Sequence, residues 1–243
     1  KNVVHHLMNN YLSDFEHRDS FDAESSLFSH CKRRFSRPIV LREHFRCMPE
    51  IIQFSNDLCY HATPLIPLKQ YPPERLEPLK IRHVPNGYRE GSNNRAINKP
   101  EAQAIVDEIV NCCNNDIYDG KTFGVIILQG QLQAALIESL LIKELDGEEI
   151  ERRRLICGNP YSFQGDERDV IFLSMVAAPN QRIGTYASDA DRRRFNVAAS
   201  RAKEQMWLFH TPILNDLSQN CLRRRLLGFF IDPREFSTIP IDQ

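Results

Sequence analysis

The stretch Tyr161-Ser162-Phe163-Gln164-Gly165-Asp166-Glu167-Arg168-Asp169-Val170-Ile171-Phe172-Leu173-Ser174-Met175-Val176 decides the fold of this chain. Its second half is an apolar run without alternation. That pattern predicts a strand covered on both faces, as in a parallel sheet flanked by helices. Its first half crowds hydroxyl, amide, carboxylate and guanidinium groups around one glycine, Gly165. Loops at strand boundaries of open α/β sheets are where ligands bind. Taken alone, the loop also reads as a solvated turn with a charged cap.

Downstream lies Arg192-Arg193-Arg194-Phe195-Asn196-Val197-Ala198-Ala199-Ser200-Arg201-Ala202-Lys203. Phe195, Ala198, Ala199 and Ala202 recur at helical spacing, so the periodicity predicts a helix along the whole stretch with these four buried. On that helix Arg194 and Arg201 stand two turns apart on nearly one face. Two guanidinium forks on one face suit a phosphate. A solvated basic face is the alternative. An apolar strand, Met206 to Phe209, follows.

The Ser162 to Ile171 segment resembles motif V of superfamily 1 helicases, and Arg193 to Lys203 resembles their motif VI in the Upf-like branch. Upstream, Leu41-Arg42-Glu43-His44-Phe45-Arg46-Cys47-Met48-Pro49-Glu50-Ile51-Ile52 is similar to that branch's aromatic-Arg motif. These motifs occur in family order and span most of the chain. The resemblance implies the second RecA-like domain of such a helicase. It also implies roles for single residues. Arg46 and Arg201 would be arginine fingers at the γ-phosphate of ATP. Glu167 would hold the ribose, Gly165 would let the backbone approach the nucleotide, and Gln164 would couple nucleotide to nucleic acid. Arg194 would join the cofactor-binding set. Ser162, Gln133 and Asn196 would touch single-stranded nucleic acid. Gln133 belongs to the segment Gly124 to Gln133, which resembles the family's phosphate-holding strand and turn; Ile127 stands where the family often has a hydroxyl residue.

Composition narrows the field. Thirty-one Lys and Arg nearly balance 32 Asp and Glu, for a formal net charge of −1. The chain is therefore no basic nucleic-acid coat, and polyanion binding has to come from local clusters. Seven cysteines, without a Cys-x-x-Cys pair or a secretory signal, point to a reducing cytosol and a cytoplasmic setting. No metal-ligand grouping of four appears. The longest apolar run, near Val170 to Ala178, is too short to cross a bilayer, so no membrane partner is expected.

The remaining chain reads as alternating strands and helices. Residues around His6 to Leu12 and Ser26 to Phe28 suggest two short helical pieces, followed by the charged Lys32-Arg33-Arg34. Strand Pro38 to Leu41 and helix Pro49 to Tyr60 come next, with Arg46 at their junction. A salt bridge from Arg46 to Glu43 or Glu50 is the alternative to a ligand-facing role. From His61 to Asn98 prolines break any helix, apart from one strand, Leu79 to Val84. Helix Asn98 to Cys112 opens with Asn98 and Glu101 at capping-box spacing. Strand Thr122 to Leu128, helix Gly130 to Leu145 and strand Leu155 to Cys157 lead into the loop before Val170. This is an α/β, three-layer αβα fold with a mainly parallel sheet; the resemblance makes it RecA-like. Residues 1–36 are expected to connect from a missing N-terminal helicase domain, and 37–243 to form the second RecA-like domain. Beginning with Lys rather than Met, the chain is expected to be an excised fragment.

No Gly-x-x-x-x-Gly-Lys-[Ser/Thr] cradle occurs in these residues, and no Walker B strand accompanies the motifs. Such a cradle is what places the phosphates and Mg2+ in a nucleotide motor. The expectation is half of an ATP site, completed with Mg2+ by the N-terminal RecA-like domain of the same polypeptide. The alternative is an ATPase-inactive scaffold that binds nucleic acid or protein.

Overall fold

The computed structural model describes residues 2–16, 18, 26–35, 37–71 and 73–236. The chain divides into two compact units, Lys1–Leu41 and Arg42–Gln243. The first contains α1 (Asn2–Tyr11) and α2 (Leu27–Arg34). Ser26 caps α2 by accepting the Ser29 N–H, which satisfies one of the donors a helix start leaves open.

The second unit begins with β1 (Glu43–His44), α3 (Pro49–Cys59), β2 (Ile66–Pro67), β3 (Leu79–His83), α4 (Lys99–Cys113) and β4 (Phe123–Ile127). It continues through α5 (Gln131–Glu144), α6 (Gly147–Arg152), β5 (Ile156–Gly158), β6 (Arg168–Ser174), α7 (Asp189–Ala199), β7 (Ala202–His210), α8 (Leu222–Ile231) and α9 (Pro233–Phe236). Five strands form one parallel sheet in the order β3-β7-β6-β4-β5. The apolar run from Val170 forms its central strand, β6.

Because side chains alternate along a strand, β6 feeds two cores. Ile171 and Leu173 pack with Ile51, Ile52 and Phe54 of α3, Phe195 and Ala198 of α7, and Leu226 and Phe229 of α8. Val170 and Phe172 pack on the opposite face with Ile105, Val106 and Ile109 of α4 and Ile137 of α5. The layers are helices, sheet, helices. Phe172 lies at the centre of an aromatic cluster, its ring 5.9 Å from Phe123 and 6.3 Å from Trp207. Among the described residues no helix is long and apolar enough to cross a membrane.

Three local expectations fail, each for a physical reason. Pro38 to Leu41 is not a strand: among the described residues no neighbour pairs with it, and Ile39, Val40 and Leu41 are 92%, 56% and 84% exposed. A strand needs a partner for its backbone groups, and the short β1 finds one in β2 instead. The Arg192–Lys203 helix actually starts at Asp189, behind a capping box of Ser188 and Asp191, and stops at Ala199. Ala202 opposite Arg168 already belongs to the sheet, so Arg194 and Arg201 do not share a helix face. At α4, Asn98 does accept the Glu101 N–H at 3.2 Å. Glu101 does not complete the box, because its carboxylate turns inward to β6.

Candidate functional site

The amino ends of β6 and β7 meet the junction between β1 and α3. Pro49 fixes the first turn of α3, which leaves Arg46 just ahead of the helix and facing the loop before β6. The Arg46 Nε donates to Glu167 Oε2 at 2.5 Å, and a terminal nitrogen donates to the Ser200 carbonyl at 3.3 Å. Glu43 and Glu50 do not take it; Glu50 pairs with Arg75 at 2.9 Å. A cleft of about 360 Å³ opens here, lined by Glu43, His44, Phe45, Arg46 and Glu167.

Arg201 follows the end of α7. Its guanidinium donates to the carbonyls of Val197 (3.1 Å), Asp166 (3.3 Å) and Phe163 (3.4 Å). Half-buried, it has a pKa lowered first by desolvation and next by the positive charge of Arg46. Two guanidiniums are thus held near each other against their repulsion, with the Glu167 carboxylate beside them. Such a pair attracts a phosphate-bearing anion. Cys47 is buried below them, and burial pushes its thiol up to about 12, so it is packing rather than a nucleophile. Burial, and then Arg46, also holds His44 below its usual pKa; its Nε2 accepts the Cys47 N–H at 3.1 Å.

The loop from Ser162 to Glu167 is braced from behind. Arg168 is buried and ties the Arg154 carbonyl (2.8 Å), the Asp166 carboxylate (2.6 Å) and the Glu167 carbonyl (2.7 Å) together. That hydrogen bond from Arg168 holds the Asp166 carboxyl below the usual carboxylate range. Gly165 has φ +86°, and a side chain there would meet nothing within 4 Å. Only its backbone conformation favours glycine, and the space around it is open to a ligand.

Of the residues singled out from sequence, Arg46, Arg201, Glu167 and Gly165 come together at this cleft, with Gln164 exposed beside them. Ser162 sits on the outer side of the same loop, its N–H held by Asn159 Oδ1 at 3.1 Å. The other three lie elsewhere. Arg194 pairs with Asp191 at 3.3 Å and stacks on Tyr186 at 4.2 Å. Asn196 reaches the Tyr60 hydroxyl at 3.4 Å. Gln133 is fully buried: its amide oxygen accepts the Asn98 N–H at 2.8 Å and its nitrogen donates to the Asn98 carbonyl at 3.1 Å. In this fold it presents nothing to a phosphate at the surface.

Sequence reasoning quoted Phe45 in the aromatic-Arg motif but gave it no role. Its ring is 67% exposed at the wall of the cleft, and a large exposed aromatic beside an arginine was the available signal. Among the described residues no group of His, Cys, Asp and Glu could hold a metal ion.

Comparison with known proteins identifies the family of the chain. Uncharacterized ATP-dependent helicase MG140 of Mycoplasma genitalium is 30% identical over 218 residues, covering 84% of this chain and 19% of that protein. Helicase SEN1 of Saccharomyces cerevisiae is 25% identical over 247 residues, covering 88% of this chain and 10% of that protein. The chain therefore spans a fifth or less of these relatives. A solved structure, the C-terminal domain of a possible DNA helicase from Lactobacillus plantarum WCFS1, is 15% identical over 68% of this chain and 86% of that one, with a TM-score of 0.41. Residues 23–211 match the AAA domain family AAA_12. The relatives named here are helicases, MG140 described as ATP-dependent, and the chain belongs to the AAA_12 family.

Proposed function

We propose that this chain is the C-terminal motor domain of an ATP-dependent helicase or translocase of superfamily 1, Upf-like branch. Arg46 and Arg201 act on the γ-phosphate of an ATP whose phosphates and Mg2+ are held mainly by a Walker A/B domain elsewhere in the polypeptide. The observation that carries this reading is the pair of guanidiniums held together, with Glu167, beside the open backbone of Gly165. A scaffold has no use for two like charges kept close against their repulsion. Glu167 offers a carboxylate to the ribose and Phe45 an exposed ring face to the base.

No cradle for the triphosphate exists among these residues, so the donors present fit one side of a nucleotide and not the whole. Closure of the two halves brings the fingers to charge that develops during phosphoryl transfer. Fingers of this kind are worth roughly a thousandfold or more in rate. Single-stranded nucleic acid crosses the carboxyl edge of the sheet near Ser162, contacted through its phosphates without sequence preference.

The test is phosphate release. The isolated chain is expected to show no turnover with or without single strands, and the full-length polypeptide to show turnover that strands stimulate. Robust hydrolysis by the isolated chain would contradict the half-site reading.

A further inference from the structure

At the carboxyl end of β6 the backbone adopts a conformation that opposes folding. Val176, β-branched and not glycine, has φ of 64°. The Ala177 N–H closes on the Met175 carbonyl at 2.7 Å, so the turn is only three residues long. Three-residue turns with positive φ are rare and strained. Such strain persists only where the surroundings over-determine it, and it clusters at functional sites.

Two side chains from the start of α4 impose it. Glu101 Oε1 accepts the Val176 N–H at 2.8 Å and the Ser174 hydroxyl at 2.6 Å. Asn98 Nδ2 donates to the Val176 carbonyl at 3.4 Å and to Thr211 Oγ1 at 3.0 Å. Gln133 grips the Asn98 backbone in turn. Glu101 is 0% exposed, and its Oε2 has no hydrogen-bond partner among the described residues. A buried carboxylate with an idle oxygen is costly. Strain and a half-satisfied buried carboxylate therefore coincide, where a glycine and an apolar residue would favour stability more.

The segment leaving this turn is equally fixed. Asn180 Oδ1 accepts the Arg89 N–H at 2.9 Å and its Nδ2 donates to the Arg89 carbonyl at 3.0 Å. Gln181 Oε1 takes two bonds from the Arg89 guanidinium, at 3.0 and 2.7 Å. The loop after β6 and the loop after β3 are thereby joined across the carboxyl edge of the sheet, the side where open parallel sheets bind ligands.

We infer that Glu101 is a positioning residue for the nucleic-acid face: it locks the Met175–Ala177 turn and so fixes residues 178–188 across the carboxyl edge. This rests on the function proposed above. Glu101 touches no nucleic acid itself and acts through Val176.

The experiment uses the full-length polypeptide, with anisotropy of labelled 12-residue oligothymidylate and oligouridylate, and hydrogen exchange of residues 178–188. Glu101→Ala is expected to weaken binding about fivefold or more and to speed exchange in that segment, since a fivefold loss corresponds to about one lost hydrogen bond. Glu101→Gln, whose amide oxygen can accept both bonds, should stay within about twofold of wild type by the same reasoning. Basal ATPase without nucleic acid should be unchanged in both. Asn98→Ser keeps a helix cap but loses the bond to Val176, and covers the case in which Glu101→Ala fails to fold; its expected loss is about two- to threefold. Wild-type affinity in Glu101→Ala or Asn98→Ser, or a Glu101→Gln as weak as Glu101→Ala, overturns the positioning role. If wild type binds neither oligonucleotide, the proposed function fails, and this inference with it.

Discussion

The two edges of the same sheet use the same chemistry in opposite ways. At the amino edge, Arg46 and Glu167 form a pair that is 33% and 42% exposed beside an open glycine. At the carboxyl edge, Glu101 and Gln133 are fully buried and bonded into the strands. Water reaches the first set, which can exchange partners at small cost. The second is shut away, and moving any member leaves a buried polar group unpaired. One edge is free to exchange partners and the other is fixed in shape.

The sharpest way to break that contrast is at Arg201. In the full-length polypeptide Arg201→Ala should cut kcat about a thousandfold, with much less change in nucleotide affinity. Arg201→Lys should recover little, because an ammonium lacks the planar fork. Both variants also lose the brace on the Phe163 and Asp166 carbonyls, so melting temperature has to be followed alongside turnover. Lower stability with unchanged kcat would make Arg201 a brace only, and the amino edge as structural as the other.

The next effect lies in pH. Burial raises the Glu101 carboxyl from 4.5 to about 7. The folded state then holds this proton more tightly than the unfolded state does. Wild type therefore loses stability as pH rises from about 4.5 to about 7, and the loss is complete above that. Glu101→Gln has no charge to bury. Its stability relative to wild type should improve by on the order of a few kcal/mol between pH 5 and pH 8, read from urea unfolding. A pH-independent difference would mean that Glu101 is ionised without penalty.

Smaller still is the expected cost of Gln133→Ala. It strands the Asn98 N–H, while the Asn98 carbonyl keeps the Ala102 N–H, for about 1–3 kcal/mol of stability, seen as a lower urea midpoint. Lost oligonucleotide binding at full stability would instead return Gln133 to the surface role that its motif implies. The smallest effect belongs to Arg46 and Glu167. A double-mutant cycle on the stability of this chain should give a coupling below about 1 kcal/mol, as for other solvent-reached pairs. A larger value would make the amino edge more rigid than its exposure implies.

The sheet was legible because burial on both faces leaves a plain signature: Val170 to Leu173 admits no amphipathic reading. That Arg46, Glu167 and Arg201 meet at one cleft was legible only through motif order, since each alone resembles a surface charge. The end of α7 was not legible. Ala198 to Lys203 keeps helical spacing, and the helix stops because β6 pairs with Ala202, a competition that no local window reports. Gln133 misleads for a similar reason. A glutamine opening a helix reads as surface, and nothing near it announces Asn98, 35 residues earlier. Strand Pro38 to Leu41 had the right composition and no pairing neighbour among the described residues. The helix Leu222–Ile231 escaped because its three consecutive arginines blur the apolar stripe.

The parallel sheet also sets a timetable. Leu79 pairs with Met206, and Phe123 with Val170, so the edge strand β3 leaves the ribosome long before its partner β7 exists. At ordinary synthesis rates that wait is on the order of ten seconds. Loop closure over such a separation is slow in itself. During the interval Leu79 and Ile81 have no strand to pair with, and β6 cannot be covered on both faces until α7 and α8 arrive. The nascent chain thus passes through a period in which β3 waits unpaired and the apolar residues of β6 stay uncovered on one face.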